Sequence, residues 1–183
     1  RGQSVWNAYL SRVLREGGGL TQLVQENAVV GVTSNPSICE QALAHGDAYD
    51  EQLRELLHSG LSPKDLFLEL AVRDVRAACD LLRPVWERTG REDGYVSIEV
   101  DPNLAHKRLA QFEEAQRLDK RISRPNLYGK IPATKAGVAA IDDSIAGVRP
   151  INVTTIFAIN RRSHVTPALL KPPVIIQSAG RGE

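Results

Sequence analysis

The segment Asn126-Leu-Tyr-Gly-Lys130-Ile-Pro-Ala-Thr134 decides the fold. Leu127, Gly129 and Ile131 alternate with Tyr128, Lys130 and Pro132, and a period of two reads as a β-strand. The apolar set is expected to face a layer of helices, with Lys130 on the opposite side. Pro132 has no N–H to give a ladder and ends the strand. Thr134 is expected to cap the helix that follows, from Lys135 to about Ala146. One lysine therefore stands at the carboxyl end of a strand, just before a turn into a helix. In an α/β barrel that is where catalytic side chains emerge. On this stretch alone, an exposed strand-end lysine is the plainer reading.

The same arrangement recurs on both sides. Residues 28–35 form a strand ended by Pro36, with Val29, Gly31, Thr33 and Asn35 on one face and Val30 and Val32 on the other. Residues 94–100 form another, with Tyr95, Ser97 and Glu99 alternating with Val96, Ile98 and Val100, before a turn at Asp101-Pro102. Residues 151–157 form a further strand carrying Asn152 and Thr154, and residues 4–10 a short first strand. Between them lie helical patterns. Residues 11–27 are broken by Gly17-Gly-Gly19, and residues 37–59 by a break near His45-Gly46-Asp47. Ser62-Pro63-Lys-Asp65 opens a helix to about Arg88, with Pro84 as an expected bend. Residues 103–122 follow as an amphipathic helix with Leu104, Leu109, Phe112, Ala115 and Leu118 inward.

Strands alternating with helices, without hairpin signals, predict a parallel α/β architecture. In a doubly wound sheet both strand faces are covered and read as continuous apolar runs. Here four strands are polar on one face near their carboxyl ends: Thr33 and Asn35, Ser97 and Glu99, Lys130, and Asn152 and Thr154. That pattern matches the lumen of a (β/α)8 barrel of the TIM type with a site at its mouth, of which five to six strands are evident. We therefore expect one partial β/α-barrel domain over residues 1–183, with residues 161–183 as an irregular tail.

Composition sets bounds on function. The chain has 183 residues, 42% hydrophobic and 25% charged, with net charge +1, an ordinary globular mix. Nothing in that balance calls for nucleic acid or an anionic membrane. No apolar run has transmembrane length and no signal peptide is visible. Cys39 and Cys79 form no CxxC pair and read as reduced packing residues of a cytosolic protein. His45, His58, His106 and His164 lack metal-ligand spacing and read as surface residues. There is no methionine even at the start, so a missing N-terminus is expected.

The polar set holds one lysine, one glutamate, two threonines and two asparagines, which argues against metal ligation and against a Ser-His-Asp triad. A partly enclosed lysine can lose its proton and attack a carbonyl carbon, forming a Schiff base. Glu99 and Thr154 could hold the water that leaves and returns. Asparagine amides can bond the hydroxyls of a polyol. The set points to lysine-dependent carbon–carbon chemistry on a sugar-like substrate.

At these residues the chain resembles the transaldolase family, in its actinobacterial style. The likeness is carried by Gly31-Val-Thr-Ser-Asn-Pro-Ser-Ile38, Val96-Ser-Ile-Glu-Val100 with Asp101-Pro-Asn-Leu-Ala105, Asn126 through Gly137, and Ile151-Asn-Val-Thr-Thr-Ile-Phe157, and runs from about residue 4 to about residue 160. The resemblance implies that Lys130 is the Schiff-base lysine and that Glu99 and Thr154 position the catalytic water. It implies that Thr33, Asn35 and Asn152 hold substrate hydroxyls. It further implies transfer of a dihydroxyacetone unit between sugar phosphates, without cofactor or metal, in the cytoplasmic pentose phosphate pathway.

Two departures stand against that family. Its first strand carries an acid–base aspartate, and here Ala8 occupies that place. Its phosphate-holding arginine and serine come from later strands that find no match here, although Val174-Ile-Ile176 would make a poor sixth strand. A truncated chain is therefore expected, and two alternatives stay open: a catalytically impaired remnant with at most weak sugar binding, or a half-barrel structural module.

Overall fold

The computed structural model describes residues 3–35, 40–41, 47–147 and 150–154. Its strands are β1 (Val5–Asn7), β2 (Val29–Thr33), β3 (Tyr95–Glu99), β4 (Leu127–Pro132) and β5 (Ile151–Thr154). They lie side by side in sequence order, and every adjacent pair is parallel. The helices are α1 (Arg12–Glu16), α2 (Gly19–Glu26), α3 (Asp50–Leu56), α4 (Pro63–Arg88), α5 (Arg108–Ile122) and α6 (Lys135–Ala146). The sheet curls into a half-barrel of the α/β TIM type, with helices over its convex face. The expected strand at 174–176, the tail, residues 155–157, Cys39, His45 and His164 lie outside the described residues.

The two-residue period sorts the faces as expected. Val32, Val96, Ile98, Val100, Leu127 and Ile131 form one buried cluster with helix residues including Ala78, Cys79, Leu82, Ala115, Leu118 and Ile141. Each large side chain fully buried there is worth about 1.5–3 kcal/mol. Burial also pushes the Cys79 thiol up to about 12, so it packs rather than reacts. Asn126 is buried beneath the start of β4, where its Nδ2 donates to the carbonyls of Cys79 (2.9 Å) and Gly94 (2.8 Å). That bracket ties β4 to α4 and to the entry of β3.

The concave face begins with an aromatic floor. Tyr95 and Tyr128 stack at 4.1 Å between centroids, and Trp6 lies parallel to Tyr128 at 6.2 Å. Trp6 is paired with Gly31 in the ladder, and a Cβ on Gly31 would run into the indole ring. Burial, reinforced by the neighbouring Tyr95, raises the pKa of the Tyr128 phenol above its ordinary value.

Local caps place the turns. Ser62 accepts from the Asp65 N–H, with Pro63 in the first turn of α4. Thr134 accepts from the Gly137 N–H at 2.9 Å and donates to the Ala105 carbonyl. A side chain on Gly137 would collide with the Pro132 carbonyl, so the tight β4–α6 turn needs glycine there. The glycine run breaks its helix as expected, with Gly18 in the left-handed region at φ 77°. α4 runs unbroken through Pro84.

Two expectations are corrected. The first strand stops at Asn7, because the Asn7 amide brackets Tyr9, donating to its carbonyl and accepting from its N–H. The helix expected over residues 103–122 is split. Asp101 accepts from the Asn103 N–H and caps a short 3-10 turn, Pro102–Leu104, and the α-helix restarts only at Arg108. That start sets the phase, so Gln111, Ala115, Leu118 and Ile122 face inward while Leu109 lies 65% exposed.

A buried ion pair joins the first helices to α4. Arg12 Nε lies 3.0 Å from Asp74 Oδ1, and both side chains are 4% exposed. Arg12 also donates to Gln52 Oε1 at 2.6 Å and stacks its guanidinium 4.2 Å over the Tyr49 ring. Removing one partner strands a buried charge, so Asp74→Ala should lower stability by about 3–5 kcal/mol. Urea denaturation measures this; a change within about 0.5 kcal/mol, as for an ordinary surface substitution, would contradict it.

Candidate active site

The ladder register assembles the polar residues. Thr33 pairs with Ser97, Glu99 with Lys130, Lys130 with Asn152, and Pro132 with Thr154. Partners in adjacent strands point to the same face and sit about 4.8 Å apart. Four strands that are far apart in sequence thus deliver their polar ends to one concave surface.

Lys130 is at its centre. Its Nζ lies 2.8 Å from Glu99 Oε2 and donates to the Ser34 carbonyl at 3.2 Å. The two side chains are only 11% and 18% exposed, so the pair is held inside the mouth rather than in open water. This removes the plain alternative of an exposed strand-end lysine.

A second chain of bonds runs beneath. Asn152 Nδ2 donates to Ser97 Oγ at 3.0 Å, Ser97 Oγ donates to Thr33 Oγ1 at 2.9 Å, and Thr33 Oγ1 donates to the Ser34 carbonyl at 3.3 Å. Ser97 is fully buried. The Ser34 N–H donates to the Ser97 carbonyl at 2.8 Å, which extends the ladder past β2 and fixes the Ser34 peptide.

The expected residues are thus placed as follows. Lys130 and Glu99 are in direct contact, and Thr33 and Asn152 join them through Ser97 and the Ser34 carbonyl. Asn35 sits in the loop after β2, lining a cavity with Ser34, Glu99 and Phe67 of α4. Thr154 stands two residues beyond Asn152 on the same face, and its carbonyl accepts from the Ala133 N–H. Ala8 is exposed just beyond the end of β1. The sequence places Ser97 on the polar face without assigning it a role, and it gives no sign of the Ser34 carbonyl. Ser97 shares its face with Glu99, but a neutral serine gives no other signal in sequence.

Glu99 also borders a second cavity with Lys64, Asp101 and Glu114. Lys64 Nζ contacts Asp101 Oδ2 at its rim. Among the described residues no cluster of His, Cys, Asp or Glu could hold a metal ion, and no helix is long and apolar enough to cross a membrane.

The chain matches the family described as Transaldolase/Fructose-6-phosphate aldolase over residues 12–176. The chain belongs to that family. It is 44% identical over 169 residues to Transaldolase 2 of Streptomyces coelicolor, covering 92% of this chain and 45% of that protein. It is 45% identical over 179 residues to Transaldolase 1 of Streptomyces avermitilis, covering 98% and 47%. It is 46% identical over 169 residues to the transaldolase of Mycobacterium marinum, covering 92% and 45%. The chain therefore spans about half the length of these relatives. The family match continues past residue 160, beyond the motifs that first carried the resemblance.

The rim pair gives a titration test. The hydrogen bond from Lys64 holds the Asp101 carboxyl below the usual carboxylate range. Its folded pKa lies below its unfolded one, so its stabilising contribution is present above the unfolded pKa and is lost as pH falls through the folded value. Carboxyl-carbon NMR should show Asp101 titrating low in the intact chain and moving up toward the ordinary carboxylate range in Lys64→Gln. No movement would show that Lys64 is not its partner in solution.

Proposed function

We propose that this half-barrel carries the covalent centre of a transaldolase-type transferase. In this reading Lys130 is the nucleophile, Glu99 its proton partner, and the substrate a ketose phosphate that gives up a dihydroxyacetone unit. The observation that carries it is the enclosed Lys130–Glu99 contact at the carboxyl end of two parallel strands.

The chemistry follows from the contacts. Attack requires the neutral amine. Glu99, at 2.8 Å, is placed to take the departing proton. Two N–H bonds of the neutral amine can point to Glu99 and to the Ser34 carbonyl, which leaves the lone pair for a carbonyl carbon in the lumen. The Nζ–C bond forms as the carbonyl π electrons move to oxygen. The excess proton on Nζ passes to the alkoxide oxygen through the water held by Glu99 and Thr154, which gives the carbinolamine; Glu99 then returns its own proton to that hydroxyl, which leaves as water. The resulting iminium accepts, as an enamine, the electrons of the bond between its α and β carbons when that bond breaks. Thr33, Asn35 and Asn152 would bind the hydroxyls of the carbon chain. No metal or cofactor is asked for, and the expected setting is the cytoplasmic pentose phosphate pathway.

Cleavage also needs a base for the hydroxyl proton beyond the breaking bond, and Ala8 offers none. That observation favours a second reading in which the chain forms the Schiff base but turns over poorly.

Two experiments separate these. Borohydride reduction with dihydroxyacetone or fructose 6-phosphate should leave an adduct on Lys130 by peptide mass mapping, and none in Lys130→Ala. An adduct on Lys135, or none on the folded chain, would overturn the covalent reading. Ala8→Asp should raise carbon–carbon cleavage by about 10²–10⁴-fold, the usual contribution of a positioned acid–base group. An unchanged rate in a chain that forms the adduct would show that position 8 is not the acid–base site.

A further inference from the structure

Ser97 Oγ joins two strands of the concave face, accepting from one neighbour and donating to the other. It takes a hydrogen bond from Asn152 Nδ2 (3.0 Å) and gives one to Thr33 Oγ1 (2.9 Å). Its side chain is fully buried, so water does not compete for either bond. The donor direction then propagates. The Thr33 proton is committed to the Ser34 carbonyl at 3.3 Å, the same oxygen that receives Lys130 Nζ at 3.2 Å.

This direction has consequences for what a ligand meets. A hydroxyl has one proton and two lone pairs. With its proton spent on Ser34 and one lone pair on Ser97, Thr33 keeps only an accepting position. With one N–H held by Ser97, the Asn152 amide plane is fixed and its Oδ1 is turned away from that hydroxyl. The layer beside Lys130 thereby offers two acceptors, Thr33 Oγ1 and Asn152 Oδ1, beside the second Asn152 N–H, and the hydroxyls of a polyol can donate to those acceptors.

We propose that Ser97 is a positioning residue for substrate hydroxyls: it orients Asn152 and Thr33 so that both present acceptors to the hydroxyl groups flanking a ketose carbonyl held at Lys130. This rests on the Schiff-base reading above and adds to it the group that sets hydroxyl recognition. Ser97 itself touches neither the ketose nor Lys130. Its effect is on which carbonyl compounds react, not on whether the amine can react.

The test compares two carbonyl probes on the intact chain. Dihydroxyacetone carries a hydroxyl on each side of its carbonyl, and formaldehyde carries none. With borohydride present, each yields a reduced adduct on Lys130 that peptide mass mapping quantifies over time. In Ser97→Ala the dihydroxyacetone rate should fall about 10-fold or more, in line with the loss of about one to two well-placed hydrogen bonds. The formaldehyde rate at Lys130 should stay within about 2-fold of wild type. Ser97→Cys, whose thiol is a weak hydrogen-bonding group of similar shape, should fall in the same direction and carries the test if the alanine variant does not fold. Equal losses with both probes would make Ser97 a merely structural residue. An unchanged dihydroxyacetone rate in a folded variant would also overturn the proposal. If wild type forms no dihydroxyacetone adduct while Lys130 still reacts with formaldehyde, the Schiff-base reading fails instead, and the proposal falls with it.

Discussion

Glu99 and Lys130 are paired across a parallel ladder, and most of the site follows from that pairing. Parallel strands allow little adjustment, because shifting one by a single residue turns every side chain to the opposite face. With Glu99 opposite Lys130, Ser97 must share the face of Tyr128 below it, and Lys130 must meet Asn152 on the next strand. The same register sends Val96, Ile98 and Ile131 outward into the helices. Core and site are therefore two sides of one constraint. A change that slipped β3 against β4 would empty both.

The enclosure of the ion pair sets its chemistry. An exposed lysine–carboxylate pair is worth little and is screened by salt. Here the mouth is walled by α4 on one side and floored by Trp6, Tyr95 and Tyr128 below. Within that wall Nζ and Oε2 lie 2.8 Å apart, in direct contact. The Ser34 carbonyl holds the amine from a second direction, so its orientation is fixed rather than left to rotate. That hold comes from backbone, which few side-chain substitutions would remove.

Much of this was legible in the residues. The alternation around Lys130 and in residues 94–100 exposed both the strands and their polar faces, because a period of two leaves little ambiguity. The phase of the helix after β3 was not legible. It depends on whether Asp101-Pro102-Asn103 winds as α-helix or as a 3-10 turn, and that choice moved Leu109 from the core to solvent. Nor could sequence show that Arg12 finds Asp74, 62 positions away and buried. Charged residues on helices read as solvent-facing until packing supplies a partner. Ser97 could be placed on the polar face but not given a role for a related reason, since a hydroxyl becomes a hub only through what stands on either side of it. Asn126, at the start of the stretch that decided the fold, carried no visible signal for its two backbone bonds.

The most direct measurement is a crystal structure of the chain after borohydride reduction with dihydroxyacetone. Continuous density is expected from Nζ of Lys130 to the central carbon of the three-carbon unit, with Glu99 within hydrogen-bonding reach of the new amine. The terminal hydroxyls should face Thr33 and Asn152. An unmodified Lys130 in a crystal where the carbon unit is bound elsewhere, or attached to Lys135, would contradict the assignment of the concave face as a covalent site.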